Sequence, residues 1–196
     1  MISQRAQYAV GIAFAAIIIG GLLAADGFFS ATRTLHHRIA GASRQMSDFG
    51  PPTRTLPGDA KEGRPIVAEP LYVDVRIPTF FDEAEVRVNL DAFDTDVGKN
   101  TRIGVEFIEG SGQIRFFDTQ VVRKPVMGLD SVEDQFYLYE VTSVIPLSEV
   151  PMPANRLRLV LSVPGLEFAD ALRIRRFDVT ARRGSLIDAV RNRLHL

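Results

Sequence analysis

From Leu71 onward the chain alternates apolar and polar residues with a period of two. In "LYVDVRI", Leu71, Val73, Val75 and Ile77 oppose Tyr72, Asp74 and Arg76, and in "EVRVNLDAF", Val86, Val88 and Leu90 oppose Arg87, Asn89 and Asp91. Successive side chains of an extended chain point to opposite faces, so this alternation predicts half-buried strands. The same pattern predicts strands over 102–108, 113–122, 135–145, 156–163 and 172–181. Seven strands separated by turns, with no helical crossovers, predict an all-β fold over 71–183, an antiparallel jelly roll or β-sandwich.

The amino-terminal pattern is different. Tyr8 to Ala25 carries no charge over 18 residues, and with Ala6, Gln7 and Gly27–Phe29 it reaches the length needed to cross about 30 Å of hydrocarbon. Tyr8, Phe28 and Phe29 flank it, as interfacial aromatics would. A cleavable signal would have a shorter apolar core, about 7–15 residues. Processing after Ala24 or Ala25 would also place Leu22 or Leu23 where a small residue belongs, although cleavage after Gly27 stays open. The expectation is a retained transmembrane helix, ahead of a cleaved signal or a buried helix. Within it Ala9, Ala13, Ala16, Gly20 and Ala24 form a stripe of small residues against which another membrane helix could pack.

Phe28, Leu35, Ile39, Ala42 and Met46 then recur at about helical spacing, predicting that the helix continues beyond the bilayer and offers Leu35, Ile39 and Met46 to a partner. The anchor and its extension would occupy residues 1–48. The stretch 49–70 is rich in proline and glycine and reads as a linker. At the carboxyl end, residues 184–196 predict a short amphipathic helix, with Ser185 as N-cap and Asp188 three residues on. Leu186, Ile187, Val190 and Leu194 would form its apolar side.

Composition narrows the chemistry. The chain has 196 residues and a net charge of -1, but residues 70–183 hold 14 basic and 18 acidic side chains, so nothing there attracts a phosphate backbone and nucleic acid is not an expected partner. With no cysteine, disulfides and thiolate metal sites are excluded. His36 and His37 would point about 100° apart on a helix and so share a metal poorly, and the remaining histidine is His195. The nearest approach to a metal site is "DAFDTDVGKN". There Asp94, Asp96 and Asn100 set oxygen ligands around Gly98, with Asp91 just before, in the manner of a calcium loop. The full loop register and its terminal glutamate are missing and Lys99 adds a positive charge, so an acidic turn is expected and no metal or cofactor is assigned.

No catalytic set emerges either. Glycosidic chemistry needs two carboxylates fixed about 5–9.5 Å apart, and among Glu83, Glu85, Glu106, Glu109 and Glu140 spacing alone selects no pair. The expectation is a protein that is not an enzyme. Aromatic residues are plentiful, and Tyr72, Phe107, Phe136, Tyr137 and Tyr139 are expected mostly in the core. The adjacent pairs Phe80–Phe81 and Phe116–Phe117 cannot both point inward from a regular strand, so one of each is available for contact.

Leu71 to Arg182, closing with "LRIRRFDVTA", resembles the jelly-roll sandwich of the galactose-binding-like superfamily, in which a late strand pairs back toward the first. The resemblance implies that fold, and either carbohydrate binding through loops at one end or a purely structural role. With no tryptophan in the chain, a glycan-stacking platform loses its commonest component.

These readings combine into a non-catalytic accessory subunit of a membrane complex. One helix would hold it in the lipid bilayer beside integral membrane protein subunits, through Ala16, Gly20 and Ala24 in the membrane and Leu35, Ile39 and Met46 outside it. Arg33, Arg38 and Arg44 lean the orientation toward a cytoplasmic domain. The plan of short tail, single anchor and β domain favours the periplasmic or external side, which is the side expected. The alternative is a membrane-tethered carbohydrate-binding module of the cell envelope.

Overall fold

The computed structural model describes residues 11–21, 32–36, 41–59, 61–92, 98–107, 110–124, 137–166 and 172–184. Two compact units divide the chain, one of 33–182 and one of 1–32 together with 183–196.

The larger unit is a two-sheet, largely antiparallel β-sandwich. Its strands are β1 (Thr32–His36), β2 (Arg64–Ile66), β3 (Leu71–Arg76), β4 (Glu83–Ala92), β5 (Arg102–Glu106), β6 (Ile114–Phe116), β7 (Thr119–Lys124), β8 (Tyr137–Pro146), β9 (Arg156–Ser162) and β10 (Leu172–Arg182). Sheet I runs β1–β10–β4–β8–β7, with β2 also paired to β10, and sheet II runs β3–β9–β5–β6. Each of the seven regions read from period-two alternation holds a strand among its described residues. The region 113–122 is two strands rather than one. It breaks at Phe117–Asp118, where the chain leaves sheet II for sheet I. The Phe117 N–H donates to Ile103 O at 3.1 Å and the Ser143 hydroxyl donates to Asp118 O at 2.9 Å, so the crossing is tied to both sheets.

The core follows from the alternation. Val73, Val75, Leu157, Leu159, Ile103 and Val105 of sheet II are buried, as are Val86, Val88, Leu90, Tyr139, Val141, Phe177 and Val179 of sheet I. Register keeps them on common faces: Val75 lies opposite Leu157, Val88 opposite both Phe177 and Val141, and Leu90 opposite Tyr139. Burying some thirteen such side chains, at about 1.5–3 kcal/mol each, is the main favourable contribution to the fold.

The outward face of sheet I is laced with charge pairs. Lys124 and Arg87 flank Glu140, Arg182 reaches Glu85, and Asp178 is held by Arg176 and by His36, whose Nδ1–H donates to Asp178 Oδ1 at 2.6 Å. The Glu140 carboxyl is held below the usual carboxylate range, first by the hydrogen bond from Lys124 and then by the charges of Lys124, Arg87 and Arg176, against an opposing effect of burial. A depressed folded pKa stabilises the fold above the unfolded value and ceases to do so as pH falls through the folded value. Lys124→Met is therefore expected to raise the Glu140 titration midpoint toward 4.5, measured by NMR. The pair is solvent-screened, so the stability loss near neutral pH should be only about 0.2–1 kcal/mol, vanishing in acid.

Several expectations are corrected here. No helix among the described residues is long and apolar enough to cross a membrane. The transmembrane, single-pass part of the expected fold is overturned by this. With it go the membrane-anchored accessory subunit, the membrane-tethered carbohydrate module, the integral-membrane and bilayer partners, and the membrane localisation with a periplasmic or external domain. The predicted helical extension is also replaced. Thr32–His36 is strand β1, and 41–55 is an irregular strip whose backbone bonds to the free edge of β3. The stretch read as a linker is stitched in as well, since Phe49 is buried, β2 pairs with β10, and Arg54 donates to Pro70 O at 2.5 Å.

Candidate functional site

Period two sends Tyr72 and Asp74 of β3, Arg156, Arg158 and Val160 of β9, and Gly104 and Glu106 of β5 to the outer face of sheet II. The register aligns them: Tyr72 opposite Val160, Val160 opposite Gly104, Asp74 opposite Arg158. An outer face normally lies open to water, yet here it is the floor of a cleft. One wall is the strip Ser47–Pro52, bonded along β3 through Ser47 N–H to Asp74 O at 2.8 Å and Gly50 N–H to Tyr72 O at 2.9 Å. The other is the turn carrying Gly110 and Gly112 between β5 and β6. Both glycines have positive φ, 77° and 69°, a conformation that side chains with a Cβ rarely adopt.

The cleft measures about 540 Å³, within the range of small-molecule sites. At its floor Arg158 lies between two carboxylates, with Nε 3.4 Å from Asp74 Oδ1 and 3.6 Å from Glu106 Oε2. Its guanidinium also lies 5.3 Å from the centroid of the Tyr72 ring, within cation–π range. Glu106 is nearly buried, its side chain 3% exposed, and Oε1 accepts the Gly112 N–H at 3.1 Å. Asp74 is further paired with Arg156. The result is a fixed, charged and nearly neutral floor with one aromatic surface, suited to holding a polar ligand by hydrogen bonds.

The residues proposed from sequence fall elsewhere. Ala16 and Gly20 are exposed in the helical stretch 11–21, while Ala24 and Ile39 lie outside the described residues. Leu35 and Met46 are buried, Leu35 on β1 and Met46 bridged to Val75. Of the calcium candidates, Asp94 and Asp96 lie outside the described residues, and Asn100 is exposed beside a smaller cleft that Phe116 and Phe117 also line. Gly98 has a structural reason, since a Cβ there would overlap the buried Tyr139 ring. Among the described residues no group of three or more His, Asp or Glu side chains is placed to hold a metal. The carboxyl-terminal segment from Ser185 lies outside the described residues, as do His37 and His195. Phe80 is exposed and Phe81 buried, the division that adjacency required.

Sequence reasoning named Tyr72 and Glu106 but did not join them. The available signal was the opposite charge on matching outward steps of two strands, Asp74 in "LYVDVRI" and Arg156 and Arg158 in "RLRLVLSV". In comparisons with known proteins, the chain matches no family model, no curated protein and no solved structure.

Proposed function

We propose that the chain is a non-catalytic recognition domain built on a jelly-roll sandwich of the galactose-binding-like kind, with the outer face of sheet II binding a small polar ligand. The fold part of this reading is supported by strand order. With β2–β10–β4–β8 facing β3–β9–β5–β6, the chain passes back and forth between sheets as two interlocked Greek keys require. The ligand part rests on one observation: an ion-paired array that contributes nothing to the apolar core is sunk at the base of a walled cleft. Burying charge is costly unless every group is partnered, and this arrangement has value chiefly as a preorganised set of donors and acceptors. The non-catalytic part is supported by the same contacts, since Asp74 and Glu106 both engage Arg158.

The test uses backbone NMR of the whole chain with glycine, acetamide and glycerol as separate probes. Saturable shifts clustered at Tyr72, Asp74, Gly112 and Arg158, and lost in a folded Tyr72→Ala variant, are expected for at least one probe. Shifts scattered over the surface, or clustered on another face, would overturn the reading.

A further inference from the structure

Beside the cleft, and sharing Ser47 and Asp74 with it, lies a second depression of about 290 Å³ lined by Ser43, Arg44, Gln45, Met46, Arg76 and Arg156. Three arginines and one aspartate line it, and of the arginines Arg156 is paired with Asp74. Two features set it apart from an ordinary solvated face.

First, Arg76 and Arg156 are direct cross-strand partners of β3 and β9, with both side chains on the outer face. Like charges directly opposite one another destabilise a sheet, and rules of this kind are broken chiefly at functional sites. Arg156 is compensated by Asp74, which also faces Arg158. Arg76 and Arg44 have no ion-pair partner among the described residues.

Second, Arg44 is held at the tip of a fixed turn. The Ser43 hydroxyl oxygen accepts the N–H of Gln45 at 3.3 Å and of Met46 at 3.1 Å, and the Ser43 N–H donates to Met46 O at 2.8 Å. The turn is in turn pinned to sheet II, where the Arg76 N–H donates to Gln45 O at 2.8 Å and Met46 is buried. Arg44 thus rises from a rigid base beside two guanidinium groups that rise from a rigid strand pair.

The geometry points to an anion subsite: Arg44, Arg76 and Arg156 bind a tetrahedral oxyanion, a phosphate or sulfate group carried by the polar ligand whose remainder lies over Tyr72. This assignment of ligand class rests on the recognition reading above. Guanidinium forks match the oxygen spacing of such groups and can each donate two bonds, and Asp74 keeps Arg156 oriented toward the depression.

The experiment is titration of the labelled chain with inorganic phosphate against chloride at matched ionic strength. Saturable shifts of the Arg44, Gln45 and Arg76 amides and of the Arg76 and Arg156 Nε–H signals are expected with phosphate and not with chloride. Arg44→Gln and Arg76→Gln should each weaken the phosphate response roughly tenfold, the scale of one lost charge-assisted bond. Arg102→Gln, which removes the same charge elsewhere on sheet II, should leave it unchanged. Equal responses to phosphate and chloride, or equal weakening by all three substitutions, would overturn the subsite by reducing it to general screening. Phosphate binding here with no response of Tyr72 and Gly112 to the neutral probes would uphold the subsite and remove the wider cleft reading. The reverse pattern would remove the subsite alone.

Discussion

Replacing Phe177 by alanine is expected to lower folding stability by about 3–5 kcal/mol, the usual range for a buried phenylalanine. Phe177 projects from β10 into the sandwich and is 2% exposed. Its ring meets Phe49 edge to face, with centroids 5.6 Å apart and planes at 83°. Phe49 belongs to the strip along β3, so this one contact closes sheet I over the flank of sheet II. Against a total of about 5–15 kcal/mol for a domain, the loss should shift the urea midpoint strongly or leave the chain partly unfolded. A double-mutant cycle with Phe49→Leu should show coupling of about 0.5–1.5 kcal/mol. A Phe177→Ala chain within 1 kcal/mol of the parent would show that the two rings do not seal the core.

The second large effect is expected at Arg158. Removing its guanidinium leaves Glu106 nearly buried with only the Gly112 N–H for compensation, and deprives Asp74 of one of its two cationic neighbours. Breaking a fully buried pair costs about 3–5 kcal/mol and an exposed one less than about 1. Arg158 is 23% exposed at its side chain, so Arg158→Met should cost about 2–3 kcal/mol by urea denaturation. Adding Glu106→Gln should recover part of that loss, because the amide oxygen still accepts the Gly112 N–H while the unpaired charge is gone. If the double variant is no more stable than Arg158→Met, the floor of the cleft is not an electrostatic unit. Either variant should also flatten the probe response at Tyr72, since the stacked guanidinium is no longer there to orient the ring.

Most strands from Leu71 on were legible because their inward positions are apolar and most of their outward ones polar, with outward Val144 and Val160 as exceptions and the period in β10 broken by a register shift between Ile174 and Arg176. β1 and β2 were not. "TRTLH" follows a long apolar run and holds one inward apolar residue, Leu35, which also fits a helical stripe, and "RPI" is too short to show any period. The anchor was inferred from an absence of charge between Tyr8 and Ala25, yet no helix among the described residues is long and apolar enough to cross a membrane. The cleft was hidden for a different reason. Its floor joins β3, β9 and β5, strands separated by up to about 90 residues, and that order is set by the connections between sheets rather than by any local pattern. Its walls come from a proline-rich stretch and a glycine turn, which in sequence read as tether and loop.

The strip along β3 has a further consequence, for how copies of this chain meet at high concentration. Tyr72 N–H and C=O are both bonded to Gly50, Asp74 C=O to Ser47 N–H, and Asp74 N–H to the Ser47 hydroxyl at 2.9 Å. The backbone groups of Tyr72 and Asp74 that would otherwise template a foreign strand are therefore occupied. A chain trimmed up to Pro51 would bare them, and this margin of sheet II would become a nucleus for intermolecular β-pairing and aggregation.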